Sequence, residues 1–236
     1  MPDDITPLAV VLIKDKLREN VNDTINYFKE QGVALKVISG DSVKTVQNIA
    51  KDTGITGAEN AIDMTTVKTQ EELEKAAENC SVFGRVTPQQ KKQLVIALKK
   101  NGHSVAMTGD GVNDVLALKE ADCSIAMAAG SDAARNVSQL VLVNNDFASM
   151  PGVVAEGRRT INNLERSSAL YIVKTIYTII LSVFFIFFHM PYPFEPIHFS
   201  LVGALTVGLP SFVLALQPNK NRIKGNFTYN IIARAV

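Results

Sequence analysis

An α/β fold with a doubly wound parallel sheet, continued by a hairpin of two membrane-crossing helices, is what this sequence predicts. Three observations carry that expectation. Between residues 8 and 143 short apolar runs alternate with helical patterns, and strands separated by helices imply right-handed crossovers in a parallel sheet. Gly-, Ser- and Asp-bearing turns follow several of the strands, at the carboxyl edge where open sheets of this kind bind ligands. From 169 to 217 the chain becomes strongly apolar, in two stretches of about 20 residues that each match the length of a bilayer-crossing helix.

The elements follow in order. Leu8–Ile13 is a continuous apolar run, the mark of a strand covered on both faces. Arg18–Glu30 carries Val21, Ile25 and Phe28 at helical spacing and closes at Gly32. Ala34–Ile38 is a second strand, ending at Ser39-Gly40-Asp41, and Val43–Asp52 is a helix closed by Gly54. Residues 57–69 read as a loop, Gln70–Glu78 as a short polar helix and Ser81–Phe83 as a brief strand. Pro88 opens the Gln89–Lys100 helix from the first-turn position. His103–Met107 is a buried strand, Val112–Ala121 a helix and Asp122–Met127 the next strand. A short helix near Asp132–Val137 and a strand at Leu140–Val143 complete the pattern.

The stretch Met107-Thr108-Gly109-Asp110-Gly111-Val112-Asn113-Asp114 organises the rest. Two glycines let the backbone pass close to a ligand, and the carboxylates of Asp110 and Asp114 are expected to point at one spot. Hard oxygen ligands of this kind suit Mg²⁺ shared with a phosphate. A tight turn with an Asp helix cap is the plain alternative.

The remaining features bound location and partners. A helical pattern runs from Phe147 through Ser168, with Arg158, Arg159 and Arg166, into Ala169–Phe188, whose only charge is Lys174. A proline-rich turn at 189–196 leads to Ile197–Leu216, which has no charge, and then to Lys220, Arg222 and Lys224. Positive charge at both outer ends of the hairpin places the soluble part in the cytoplasm and 189–196 outside, with membrane lipid as a partner. The expected division is therefore a soluble domain at 1–150, a stalk helix at 151–168, membrane helices at 169–188 and 197–216, and a cytoplasmic tail at 218–236. Lys174 either snorkels to the interface or faces a polar path. A formal net charge of +1 gives no ground for a nucleic-acid partner. Cys80 and Cys123 sit in unrelated contexts, as expected of free thiols in a reducing compartment. The opening Met1-Pro2-Asp3-Asp4 does not read as a signal peptide.

On these residues the chain resembles a P-type ATPase. Thr108-Gly109-Asp110-Gly111-Val112-Asn113-Asp114 matches that family's hinge signature. Asp15-Lys16-Leu17-Arg18 resembles its Asp-Pro-Pro-Arg segment with both prolines replaced, and Ser39-Gly40-Asp41 resembles its Thr-Gly-Asp loop. Arg85-Val86-Thr87-Pro88-Gln89-Gln90-Lys91 resembles Arg-Val-x-Pro-x-x-Lys. Glu156-Gly157-Arg158-Arg159 resembles the stalk before the fifth membrane helix, and Thr206-Val207-Gly208-Leu209-Pro210 the sixth helix's Thr-Asp-Gly-Leu-Pro. The resemblance implies the haloacid dehalogenase-like fold, with Mg²⁺ and ATP as cofactors. It implies that Asp110 holds Mg²⁺, that Asn113 and Asp114 order the phosphate, and that Lys91 sets a positive charge on the transferring group. Ser39 and Gly40 would supply a hydroxyl and an N–H to phosphate. Asp15, Arg18, Asp41 and Arg85 would lie at the nucleotide. Surface capping or pairing is the alternative for Asp41 and Arg18, a structural salt bridge for Arg85, and a solvated helix charge for Lys91.

The family's phosphorylated aspartate lies in Asp-Lys-Thr-Gly-Thr, and no such segment occurs in this sequence. Asp15 is the one stand-in, but Leu17-Arg18-Glu19 supplies neither its glycine nor its threonines. The expectation is a fragment or truncated product of an ATP-driven cation pump, incompetent alone, with the transported cation and the rest of the same pump as partners. Whether the chain by itself is an enzyme stays open. A catalytically silent, membrane-anchored Mg²⁺- or phosphate-binding or regulatory module is the alternative. The sixth-helix Asn and Asp of calcium pumps are Gly203 and Val207 here, so the transported ion stays open.

Overall fold

The computed structural model describes residues 20–235; the expected strand at Leu8–Ile13 and the residues Asp15 and Arg18 lie outside them. The chain divides into two compact units, one ending at Met150 and the other starting at Pro151.

In the first unit, six short strands alternate with helices, and every ladder is parallel. β1 (Val37–Ile38), β2 (Ala61–Asp63) and β3 (Val82–Gly84) form one sheet in the order β1-β3-β2. β4 (Ala106–Gly109), β5 (Cys123–Met127) and β6 (Leu140–Leu142) form a second in sequential order. The central strand β3 is buried along its whole length, as strands covered on both faces require. Register aligns the strand ends: Asp63 lies opposite Gly84, and Gly109 opposite Ala126.

Local chemistry sets the helix boundaries. α1 (Val21–Glu30) closes into Gly32, which takes the positive φ that glycine tolerates. Ser42 caps α2 (Val43–Asp52) by accepting the Thr45 N–H. Reciprocal capping boxes open α3 (Gln70–Asn79) with Thr69 and Glu72, and α4 (Pro88–Lys100) with Thr87 and Gln90. Ser131 caps α6 (Asp132–Val137). The expected helix at 112–121 is a tight 3₁₀ turn, Val112–Asp114, followed by α5 (Val115–Glu120).

The helix α4 joins the two layers. Its Leu94 and Ala97 pack with Met64, Leu73, Ala76, Ala77 and Phe83 beside the first sheet. Its Val95 packs with Met107, Ala117, Leu118 and Ala134 beside the second. One helix with apolar faces on both sides thereby fixes the spacing between the two sheets' functional edges. The loop expectation for 57–69 is overturned by β2, which pairs Ala61 with Val82. Three residues are too few to show a period of two, so only the pairing with β3 reveals the strand.

In the second unit, α7 runs unbroken from Met150 to Phe187. A helical stretch from Pro196 to Leu216 follows, in three parts: α8 (Pro196–Gly203), a wide π turn (Ala204–Gly208) and α9 (Leu209–Leu216). Both stretches are long and apolar enough to cross a membrane. Pro210 has no N–H to give the carbonyl four residues back, and a local change of helix pitch is how such carbonyls are accommodated. The hydroxyls of Thr175, Thr178, Ser200 and Thr206 all donate to the carbonyl four residues earlier on their own helix. Residues 218–236, expected as a plain tail, contain α10 (Phe227–Ala235).

Candidate functional site

Two turns and the start of α4 build the site. At the end of β4 the chain makes a sharp turn through Gly109, Asp110 and Gly111. A side chain on Gly109 would place its Cβ 2.5 Å from the Cβ of Asp114, so glycine is what lets Asp114 fold back under the turn. There Asp114 is buried, and its Oδ2 accepts the Gly111 N–H at 3.1 Å. Its Oδ1 lies 2.6 Å from the Lys91 ammonium.

Lys91 sits in the first turn of α4, with its N–H on the Thr87 carbonyl. The side chains of Lys91 and Asp114 are only 11% and 10% exposed, which rules out a solvated helix charge. Burial of this kind requires each charge to have its partner.

Asp110 stands differently. It is exposed, and neither it nor Asn113 uses its side chain in a hydrogen bond with another described residue. Its backbone is held, since Ser131 donates its N–H to the Asp110 carbonyl at 2.7 Å and Gly130 packs against the Asp110 Cα. The two carboxylates expected at one spot thus have separate environments: Asp114 is the internal counter-ion, and Asp110 is the carboxylate presented outward. Sequence spacing alone cannot separate them.

The second turn follows β1. Ser39 donates its hydroxyl to Asp41 Oδ2 at 2.9 Å and accepts the Asp41 N–H. Gly40 is open, with no heavy atom nearer than 4.0 Å to where a Cβ would lie. The Asp41 carbonyl accepts the Arg85 N–H at 2.8 Å, and the Ser39 carbonyl accepts the Val86 N–H at 3.0 Å. These bonds tie the Ser39–Asp41 turn to the connection that opens α4, and so through α4 to Lys91 and Asp114.

Arg85 makes that tie possible through a left-handed backbone, φ 52°, which costs a non-glycine residue about 1–2 kcal/mol. Its guanidinium lies 3.8 Å from Asp63 Oδ2, with both groups open to solvent. We expect Arg85→Gly to raise thermal stability slightly, by up to about 1 kcal/mol, because glycine adopts this φ without strain; a loss of melting temperature would show that the side chain is needed structurally.

Asp63 is the residue that sequence reasoning missed. It ends β2 beside Gly84 and Arg85, and the Thr65 hydroxyl and N–H hold its carboxyl below the usual carboxylate range. Its signal was an acidic residue directly after the short apolar pair Ala61-Ile62. Among the described residues no three His, Cys, Asp or Glu side chains gather as a metal cage. Mg²⁺ shared with phosphate asks for only one or two protein carboxylates, which Asp110 satisfies.

Residues 2–122 match the haloacid dehalogenase-like hydrolase family. The chain is 43% identical over 246 residues to the calcium-transporting ATPase CtpE of Mycolicibacterium smegmatis, covering 100% of this chain and 31% of that protein. It is 42% identical over 243 residues to the probable cation-transporting ATPase exp7 of Streptococcus pneumoniae, again covering 100% and 31%. It shares its fold with a zinc-transporting PIB-type ATPase solved in the E2.Pi state, at TM-score 0.60 and 20% identity, covering 94% of this chain and 29% of that one. The chain thus spans 31% of the length of the two curated relatives. It belongs to the haloacid dehalogenase-like hydrolase family, and over its whole length it is similar to a segment of cation-transporting ATPases.

Proposed function

We propose that this chain supplies the magnesium–phosphate side of the catalytic site of an ATP-driven cation pump, together with its fifth and sixth membrane helices. The single observation that carries the reading is the buried Lys91–Asp114 pair beneath a glycine turn that presents Asp110 outward. In this reading residues 1–150 are the later part of the phosphorylation domain and 151–168 the stalk. Residues 169–188 and 197–216 cross the cell membrane, with 218–236 and the α/β unit on the cytoplasmic side.

Asp110 holds Mg²⁺, which supplies charge neutralisation at the phosphate when bound. Lys91 has three donors and spends one on Asp114. The remaining two face a phosphoryl group as a fixed positive charge, held in place at no reorganisation cost. Asp114 orients that ammonium and stiffens the turn through Gly111, and Asn113 adds an amide at its rim. Ser39 turns its hydroxyl from Asp41 to phosphate, beside the Gly40 N–H. Asp41 and Arg85, with Asp15 and Arg18, form the nucleotide side. The segment Asp-Lys-Thr-Gly-Thr does not occur in these 236 residues, so in this reading the phosphorylated aspartate is supplied by another part of the pump.

Calorimetry tests the central assignment, with Mg²⁺ titrated in the presence of inorganic phosphate into the chain held in lipid nanodiscs. Asp110→Ala is expected to weaken Mg²⁺ by more than the roughly 10–100-fold that loss of an outer-shell partner costs at metal sites. Unaltered Mg²⁺ affinity in that variant removes the assignment.

A further inference from the structure

A carboxylate that holds a metal must be kept within about 0.5 Å of its working position. Asp110 is exposed, and its side chain has no hydrogen bond with another described residue. Its position is therefore set through its backbone. Two contacts do this, and both come from residues 128–131, the connection between β5 and α6. Ser131 donates its N–H to the Asp110 carbonyl at 2.7 Å. Gly130 lies so close that a Cβ there would sit 2.8 Å from the Asp110 carbonyl oxygen and 3.0 Å from the Asp110 Cα. The Met127 carbonyl oxygen closes a third side, also at 3.0 Å. All three atoms are backbone, so no side-chain rotation makes room. Glycine is needed here for space and not for a left-handed φ.

The connection is itself held from two sides. Arg135, on α6, turns its guanidinium back onto it. Its Nη1 donates to the carbonyls of Ala128 and, at 3.1 Å, Gly130, while Nη2 pairs with Asp132. From beyond β6, the Asn145 side-chain oxygen accepts the Ala129 N–H at 2.6 Å, and the Leu142 carbonyl accepts the Ala128 N–H at 3.1 Å. Hydrogen bonds from a charged donor are about twice as strong as neutral ones, and the fixed fork of a guanidinium suits it to several acceptors at once. Parallel pairing sets Ala126 of β5 opposite Gly109 of β4, so this connection falls at the same carboxyl edge as the Asp110 turn. An ion pair between Arg135 and Asp132 on an open helix surface would contribute little. It also leaves the two carbonyl bonds without a reason.

We propose that Arg135 and Gly130 are positioning residues for Asp110. Arg135 fixes residues 128–131, Gly130 lets them close on the Asp110 backbone, and the Ser131 N–H passes that rigidity to the turn that carries the carboxylate. Neither residue is asked to touch Mg²⁺ or phosphate. The proposal rests on the reading of Asp110 as the magnesium holder and deepens it, by naming what keeps Asp110 still.

Two measurements on the chain in lipid nanodiscs test it, and the first needs no metal. In Arg135→Ala, hydrogen exchange at the Ala129 and Ser131 amides should speed up about tenfold, the change expected when local opening loses about one hydrogen bond's worth of resistance. The β4–β5 ladder should be unaltered. Wild-type exchange at those two amides would overturn the proposal. The second measurement is Mg²⁺ titration by calorimetry in the presence of inorganic phosphate. Arg135→Ala and Gly130→Ala should each weaken Mg²⁺ by about 10–100-fold, as loss of an outer-shell partner does at metal sites. Asp132→Ala, which removes the ion pair and keeps the carbonyl bonds, should leave Mg²⁺ affinity unaltered. A purely structural role would lower the melting temperature and spare the affinity of the folded protein. Full affinity in Arg135→Ala and Gly130→Ala, beside a loss in Asp110→Ala, overturns the brace and leaves the metal assignment standing. An equal loss in Asp132→Ala overturns it too, because the ion pair would then be the active element. Unaltered affinity in Asp110→Ala removes the metal assignment and the proposal with it.

Discussion

Asp114→Ala should cost the α/β unit about 3–5 kcal/mol, because it strands a buried ammonium without its counter-ion. That cost follows from the pair's geometry: a 2.6 Å contact between side chains that are 11% and 10% exposed. The same substitution removes the acceptor of the Gly111 N–H, which adds the cost of an unmet buried donor. Asp110→Ala, four residues away but exposed, should change stability by less than about 0.5 kcal/mol while abolishing Mg²⁺ binding. Two aspartates in one motif are thereby separated by experiment into a structural anion and a ligand-holding one. Removing both charges with Lys91→Met and Asp114→Leu should recover the part of the loss that comes from the stranded ammonium, since an apolar pair packs as well as a buried ion pair, while the Gly111 N–H stays unmet. The check is urea-induced loss of far-ultraviolet ellipticity for the chain in nanodiscs, where lipid keeps the apolar helices folded. Equal losses for Asp110→Ala and Asp114→Ala would contradict the division of labour drawn here.

That division also marks how far the sequence could be read. The boundaries of α2 and α6 were legible at Val43–Asp52 and Asp132–Val137, because capping serines and a closing glycine act locally. The alternation of strands and helices was legible for the same reason, and so was the membrane-length apolar character of the second unit. What escaped depends on contacts made far along the chain. Lys91, Lys92, Lys99 and Lys100 are the same residue on one helix. Only packing tells that the first is buried on Asp114, while Lys92 meets Glu120 and Lys99 meets Asp122 at more open sites. The strand β2 escaped because it exists through its ladder with β3. The wide turn at Ala204–Gly208 escaped because hydropathy sees an unbroken apolar run. Nothing local in the sequence marks Glu165 as buried; Asn230 and Arg234, some 65 residues on, cover it.

The second large effect is expected at Gly84, a position that carries no chemistry. A Cβ there would lie 2.6 Å from a methyl carbon of Val43, and 2.7 Å from both the Val43 Cα and N. Two of those three atoms are backbone at the start of α2, so no side-chain rotation relieves the overlap. Gly84→Ala must push β3 and the start of α2 apart, and we expect a loss of about 3 kcal/mol, the upper end of ordinary overpacking costs. The damage should concentrate where the two segments meet. Arg85 and Val86, next in the chain, donate to the carbonyls of Asp41 and Ser39, and those bonds lengthen first as the segments separate. Hydrogen exchange should therefore speed up at the Arg85 and Val86 amides well before it does at the β4–β5 ladder, which Gly84 does not touch. Unchanged protection at those two amides, with stability otherwise lowered, would mean the turn at Ser39–Asp41 is held by something other than its bonds to the opening of α4.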